Sequence, residues 1–225
     1  MPFSRIAGIA KALVIVQIVT IFLAALVLMT QLSLADEADD LVNDTITTGE
    51  FEDASGSFVL SSALAGVAGI ATLVLLIIWS YRIAGNLQKM GREPITWKPG
   101  LAIVVWLLGG CTLSIINFFM LREHWRGSDP DVAPHDGRWR TGATSPRIVA
   151  WFVLGIAQIA VGAVAGLRSL GGVNLGSGTN AFAESLADRL PFVMASSIGA
   201  IVSSLLLVLI VRELTTRHMQ ATREA

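Results

Sequence analysis

The stretch LAIVVWLLGGCTLSIINFFML, residues 101–121, admits two readings. At about 1.5 Å per residue, one straight helix of this length reaches across the roughly 30 Å of a bilayer's hydrocarbon core. Its centre argues for something else. Gly109 and Gly110 sit there side by side. Each interior glycine costs a helix about 0.8–1 kcal/mol relative to alanine. Cys111, Thr112, Ser114 and Asn117 follow, and such polar groups can satisfy backbone freed by a bend. The segment is therefore either a fifth crossing, or two helical arms that bend near Gly109-Gly110 and return to the side they left.

The charges around it weigh the two. Lys98 precedes the segment and Arg122 follows it. Outside it, four further apolar runs are long enough to cross: Ala12–Leu32, Phe58–Trp79, Ile148–Leu167 and Phe192–Val211. Loops on the cytoplasmic side carry the excess of Lys and Arg. If all five runs cross, the 16 Lys and Arg divide 8 and 8. If 101–121 returns, 14 fall inside and only Arg168 and Arg189 fall outside. The second arrangement obeys the charge rule and puts both termini in the cytoplasm. It also brings Trp79, Trp97, Trp125, Trp139 and Trp151 to the cytoplasmic boundary, where an amphipathic indole is most stable.

Composition agrees with a lipid environment. The chain of 225 residues is 53% hydrophobic and 15% charged, where soluble domains carry about a quarter charged residues. The expected fold is all-α: a polytopic transmembrane bundle over residues 1–225. Its helices are expected near 12–32, 58–90, 148–167 and 192–215, with 101–121 re-entrant or spanning. The first run follows Arg5 and Lys11 and is longer than a secretory signal core, so it reads as an uncleaved anchor. Residues 33–57 hold eight acids and no Lys or Arg and read as an external acidic loop. Residues 122–147 read as a cytoplasmic loop. The second helix is expected to run on to Met90, with Gly91 as its stop. Residues 168–180 read as a flexible linker, Asn180 as the cap of an amphipathic stretch 181–190, and Pro191 as the first turn of the last helix.

Chemistry is sparse. The apolar cores contain no Asp, Glu, His, Lys or Arg, which speaks against ion-coupled transport. Gln17, Gln158 and Asn117 are expected to bond neighbouring helices rather than line a path. The intramembrane serines and Cys111 lack a base, so no catalytic residue is expected. Glu123, His124, Asp129, Asp131, His135 and Asp136 crowd one loop, but without metal-ligand spacing. The acidic loop lacks the geometry of a calcium site. No metal or cofactor is expected. One cysteine excludes an intrachain disulfide, and a net charge of −1 excludes strong nucleic-acid binding. Small residues recur every fourth position at Ser61/Ala65/Gly69, Gly162/Gly166 and Ala195/Gly199/Ser203, a pattern that lets membrane helices approach closely.

The middle of the chain carries an ordered set of motifs. Trp79 and Arg82 are followed by Asn86; Trp97, Pro99 and Gly100 lead to Trp106; Arg122, Glu123, Trp125, Ser128, Asp129 and Pro130 close the set, with Trp151-Phe152 beyond. Over roughly residues 75–155 this resembles the bacterial multi-pass membrane proteins grouped as domain of unknown function 4328. That family carries prolines near the positions of Gly109 and Asn117, where this chain has none. The resemblance implies a bacterial inner membrane and no known activity. The motif residues are the candidate partner-facing set, with Glu123 the expected partner of Arg82. The expected function is a non-enzymatic scaffold or interaction protein, presenting residues 80–147 to a protein partner or to anionic lipid head groups. The alternative is a small-solute carrier or channel using 101–121.

Overall fold

The computed structural model describes residues 3–109, 112–172 and 179–224, and the side-chain surroundings of these outside 165–189. The fold is all-α, with no strand among the described residues. In order come α1 (Ala7–Val42), α2 (Thr48–Lys89), α3 (Pro99–Leu108), α4 (Ile115–Gly127), a 3-10 turn (Gly137–Thr141), α5 (Pro146–Gly172) and α6 (Thr179–Thr222). Four of them are long and apolar enough to cross a membrane: α1, α2, the Pro146–Val164 part of α5 and the Leu190–Thr222 part of α6. Their bulky apolar residues face outward, Phe22 at 69% and Met29 at 67% exposure, an arrangement that lipid stabilises and water does not.

The helices outrun the bilayer. At about 1.5 Å per residue, the 36 residues of α1 and 42 of α2 reach roughly 54 and 63 Å. The acidic segment 33–57, expected as a loop, is therefore mostly helix, and the turn shrinks to residues 43–47. The physical reason is a stripe concealed among the acids. Leu34, Ala38 and Leu41, spaced by four and three, share one helix face and bury against Phe51. Asp44, at φ 58°, ends α1, and the Thr45 N–H donates to Asp40 O at 2.9 Å. A reciprocal cap then starts α2. Thr47 N–H donates to Glu50 Oε2 at 2.8 Å, and Glu50 N–H to Thr47 Oγ1 at 3.4 Å.

The last helix also differs from expectation. Pro191 lies inside α6 rather than in its first turn, and α5 runs on to Gly172. Of the expected linker, residues 173–178 lie outside the described residues. So do the side chains of Asn180 and of residues 181–189, on which the expected cap and amphipathic face rest.

The chain divides into two compact units. One comprises Met1–Ile18, Gly69–Ile156 and Ser203–Ala225; the other comprises Val19–Ala68 and Ala157–Val202. The second unit holds the Leu34/Phe51 cluster and polar ties between helices. Thr30 Oγ1 meets Ser61 Oγ at 2.9 Å, and Ser197 Oγ donates to Gln31 Oε1 at 3.1 Å. The Gln158 amide donates to Ser196 O at 3.5 Å. The first unit has the larger core. Ile6, Leu13, Leu76, Trp79, Ile83, Leu87, Leu121, Ile148, Ile210 and Leu214 bury together. Gln17 accepts from Thr72 Oγ1 there at 3.0 Å, so this amide bonds a neighbouring helix.

The segment 101–121 is a helical hairpin. Lys98 is extended, at φ −60° and ψ 157°, and Pro99 opens α3, where its missing N–H costs nothing. Leu113 and Ser114, both left-handed, turn the chain into α4. Ala102 and Val105 pack on Met120, with Trp97, Trp106 and Ile116 around them. One carboxylate fastens the two ends: Glu123 accepts the N–H of Thr96 at 3.1 Å and of Trp97 at 2.9 Å. A single straight helix through 101–121 is incompatible with that contact. Gly109 serves packing here. A Cβ on it would lie 2.5 Å from Asn117 Oδ1.

Candidate functional site

The site grows from the end of α2. Gly91, at φ 69°, takes the left-handed position that stops the helix. Gly91 N–H donates to Gln88 O at 2.9 Å and Arg92 N–H to Leu87 O at 3.1 Å, the paired bonds of a Schellman end. That turn directs Arg92 inward. Its side chain is buried, and four hydrogen bonds run from it to main-chain carbonyls: Gly127 O at 3.1 Å, Ala133 O at 2.7 Å, Asp129 O at 3.1 Å and Val132 O at 2.6 Å. Burial lowers its pKa, while Asp129 and Asp136 act to raise it. A guanidinium stays charged under such a shift. Arg92 thus organises the loop that follows α4 by gathering carbonyls that would otherwise lack donors.

One turn earlier on α2, Asn86 is fully buried. Ser4 N–H donates to its Oδ1 at 2.8 Å, and its Nδ2 donates to Ser4 O at 2.8 Å. These two bonds determine which amide atom is which. Nδ2 also meets His218 Nε2 at 3.1 Å, so Nε2 is the acceptor. His218 therefore carries its proton on Nδ1, which donates to Ser128 Oγ at 2.8 Å. A single chain of bonds thus ties residue 4, α2, the end of α4 and α6.

Other ties surround this chain. Trp79 Nε1 donates to Thr215 Oγ1 at 3.0 Å, and Trp106 Nε1 to Ser80 Oγ at 2.8 Å. Arg217 pairs with Asp129 at 2.6 Å and lies 4.9 Å above the Trp125 ring. Glu224 accepts the Ile6 N–H at 3.0 Å, placing a negative charge at the start of α1, where the helix dipole favours it. Arg82 donates to Arg5 O at 2.7 Å, not to Glu123. The expected Arg82–Glu123 pair is thus replaced, because the N-terminal segment covers Arg82 and the hairpin's own backbone claims Glu123.

His124 stands apart. It is fully buried, and neither ring nitrogen has a hydrogen-bond partner. Burial, and secondarily His218, pushes its pKa down to about 3. It is a neutral packing residue at ordinary pH. No cluster of three or more potential metal ligands occurs among the described residues.

A groove of about 580 Å³ opens between residues 94–97, the outer face of α4 and the 3-10 turn. Arg122, Arg126 and Arg140 line it together with Trp97, Phe119 and Trp139.

Of the motif residues, Trp79, Asn86, Trp106, Ser128 and Asp129 enter the buried network or its immediate ties. Pro99 and Gly100 start α3, Trp97 and Glu123 join the hairpin's ends, Trp125 lies under Arg217, Arg122 faces the groove, and Pro130 is exposed. Outside the candidate set stand Arg92, Trp139, expected only at the membrane boundary, and the C-terminal residues Thr215, Arg217 and His218. A signal for the last was present. Leu207, Ile210, Val211, Leu214, Thr215 and His218 continue one helical stripe, and all are buried.

These features define an all-α helical protein of membrane type: four long apolar helices with a helical hairpin inserted between the second and third. Within that class the chain belongs to the family described as domain of unknown function (DUF4328), whose model matches residues 43–216. No curated protein and no solved structure matches it.

Proposed function

We propose that this is a non-enzymatic multi-pass protein of a bacterial inner membrane, with both termini cytoplasmic, that presents the surface of residues 80–147 to a partner. The observation that supports this reading is the convergence on Asn86, His218 and Ser128. Residue 4, the end of α2, the end of α4 and the last turns of α6 are tied there by buried hydrogen bonds. Such a network makes the loop surface above it rigid, as a docking platform requires. The 14-to-2 division of Lys and Arg supports a cytoplasmic position for that surface. The 101–121 hairpin enters the membrane and leaves on the same side.

The test is a pull-down from detergent-solubilised membranes, together with a reporter fused after Ala225. A stoichiometric partner that is lost when Asn86→Ala loosens the platform supports the reading. A reporter active in the periplasm, or saturable solute uptake into reconstituted vesicles, overturns it.

A further inference from the structure

The groove beside α4 has the composition of a binding site for an amphiphilic anion. Arg122, Arg126 and Arg140 line it, and Glu123 is the acid that faces them there. The Glu123 carboxylate is already occupied by the N–H groups of Thr96 and Trp97. The lining thus carries a net charge of about +2. Arg122 makes no hydrogen bond or ion pair among the described residues. Arg126 gives one N–H to Arg140 O at 2.9 Å, and Arg140 gives one to Pro94 O at 3.0 Å. These bonds use main-chain acceptors and neutralise nothing. Burial and the neighbouring Arg122 both lower the Arg126 pKa, the sign expected of cations crowded without a counter-ion.

A second observation points to a ligand. Trp139 is 3% exposed, lines the groove, and its Nε1 has no acceptor. Arg126 Nε is likewise buried without one. Native proteins leave few buried donors unpaired, and two at one groove call for an acceptor from outside the chain.

The face of α4 that carries part of the lining and continues past it to Ile115 identifies the kind of acceptor. Along α4, Ile115, Phe119, Arg122 and Arg126 follow at spacings of four, three and four, so they share one face. The first two are apolar and exposed, at 41% and 46%. The last two are cationic. An occupant that matches this face has an apolar chain at one end and an anion at the other. A phosphomonoester carries about −1.5 to −2 charges near pH 7, which balances the lining. Guanidinium forks also suit its oxygens.

We infer that the groove formed by Arg122, Arg126, Arg140 and Trp139 binds a phosphate-ester head group, with the attached apolar chain lying along Phe119 and Ile115. Free phosphate esters share the head-group chemistry; the Phe119 stripe assigns the site to a lipid. The inference stands on the groove alone and does not depend on the platform having a protein partner.

The experiment uses the full chain in nanodiscs of dioleoyl phosphatidylcholine, titrated with dioleoyl phosphatidate, with retained lipid counted by native mass spectrometry. Wild type is expected to hold one phosphatidate. Arg122→Glu is expected to weaken retention about tenfold or more, the loss of one charge-assisted contact, and Arg122→Lys to weaken it less. Arg212→Glu reverses an exposed charge on α6, away from the groove, and is expected to change little. Because Arg122 has no internal bond, its variants should keep the wild-type melting temperature. Equal retention in wild type and Arg122→Glu, or equal loss in Arg122→Glu and Arg212→Glu, overturns the site. Full displacement of phosphatidate by equimolar glycerol 3-phosphate, with Phe119→Ala without effect, overturns the lipid assignment.

Discussion

Asn86 and His218, 132 residues apart, meet at 3.1 Å in the interior of the helix ends, and the amide decides the imidazole's tautomer. Truncating Asn86 to alanine strands the Ser4 main chain and His218 Nε2 and leaves the His218–Ser128 bond as the remaining link. Asn86→Ala is expected to destabilise by about 2–4 kcal/mol, as stranded buried donors and acceptors do. A double-mutant cycle with His218→Ala, read by thermal unfolding in detergent, should show a coupling above about 0.5 kcal/mol. Additive losses would mean that the two side chains do not cooperate.

Arg92 tests whether geometry or charge holds the loop after α4. Arg92→Ala is expected to cost about 3 kcal/mol or more, since it leaves carbonyls at residues 127, 129, 132 and 133 without their donor. Arg92→Lys preserves the charge but not the fork, and should recover less than half of the loss. Limited proteolysis between residues 128 and 136 reports the same event locally, and cleavage should appear first in the alanine variant.

His124 predicts an acid sensitivity. Its pKa is about 3 in the fold and about 6.5 in an unfolded chain. Between these values the unfolded state binds the extra proton. The contribution to stability is therefore full above pH 6.5 and is lost as pH falls toward 3, by about 1.4 kcal/mol for each unit. Melting temperatures at pH 7.5, 6 and 5 should fall in that order. In His124→Leu the slope should shrink, and an unchanged slope would assign it to other groups.

Gly109 predicts a steric dependence. Gly109→Ala places a Cβ 2.5 Å from Asn117 Oδ1 and should destabilise the hairpin by about 1–3 kcal/mol, the usual cost of overpacking. Adding Asn117→Ser, which shortens the opposing side chain, should recover most of it. A double variant no more stable than Gly109→Ala would show that the backbone at 109, rather than the collision, is at fault.

How much of this was legible beforehand depends on the range of the interaction. The 20-residue apolar runs, the charge asymmetry and the stop at Gly91 are local properties. Composition and spacing specify them because lipid solvation, the dipole at a helix end and the left-handed preference of glycine act within a few residues. That 101–121 is broken belongs to the same class, but the left-handed residues that turn it are Leu113 and Ser114, while Gly109, where the bend was expected, keeps right-handed helical angles. The acidic segment 33–57 reads as a loop by composition but is mostly helix, because its high density of charge conceals the Leu34/Ala38/Leu41 stripe that packs on Phe51.

The pairings belong to the other class. The sequence by itself established an all-α membrane protein with a broken segment at 101–121 and a basic face. Only the tertiary structure assigned Arg82 to Arg5 O, Glu123 to the backbone of Thr96 and Trp97, and Asn86 to Ser4 and His218. Each of these side chains had several chemically equivalent partners in the sequence. The choice fell to whichever group the packing of distant helices brought within about 3 Å, the reach of a hydrogen bond. The arginine groove has the same origin, since Trp139 and Arg140 meet Arg122 and Arg126 across a loop that Arg92 gathers through its carbonyls and that Arg126 ties to Arg140 O.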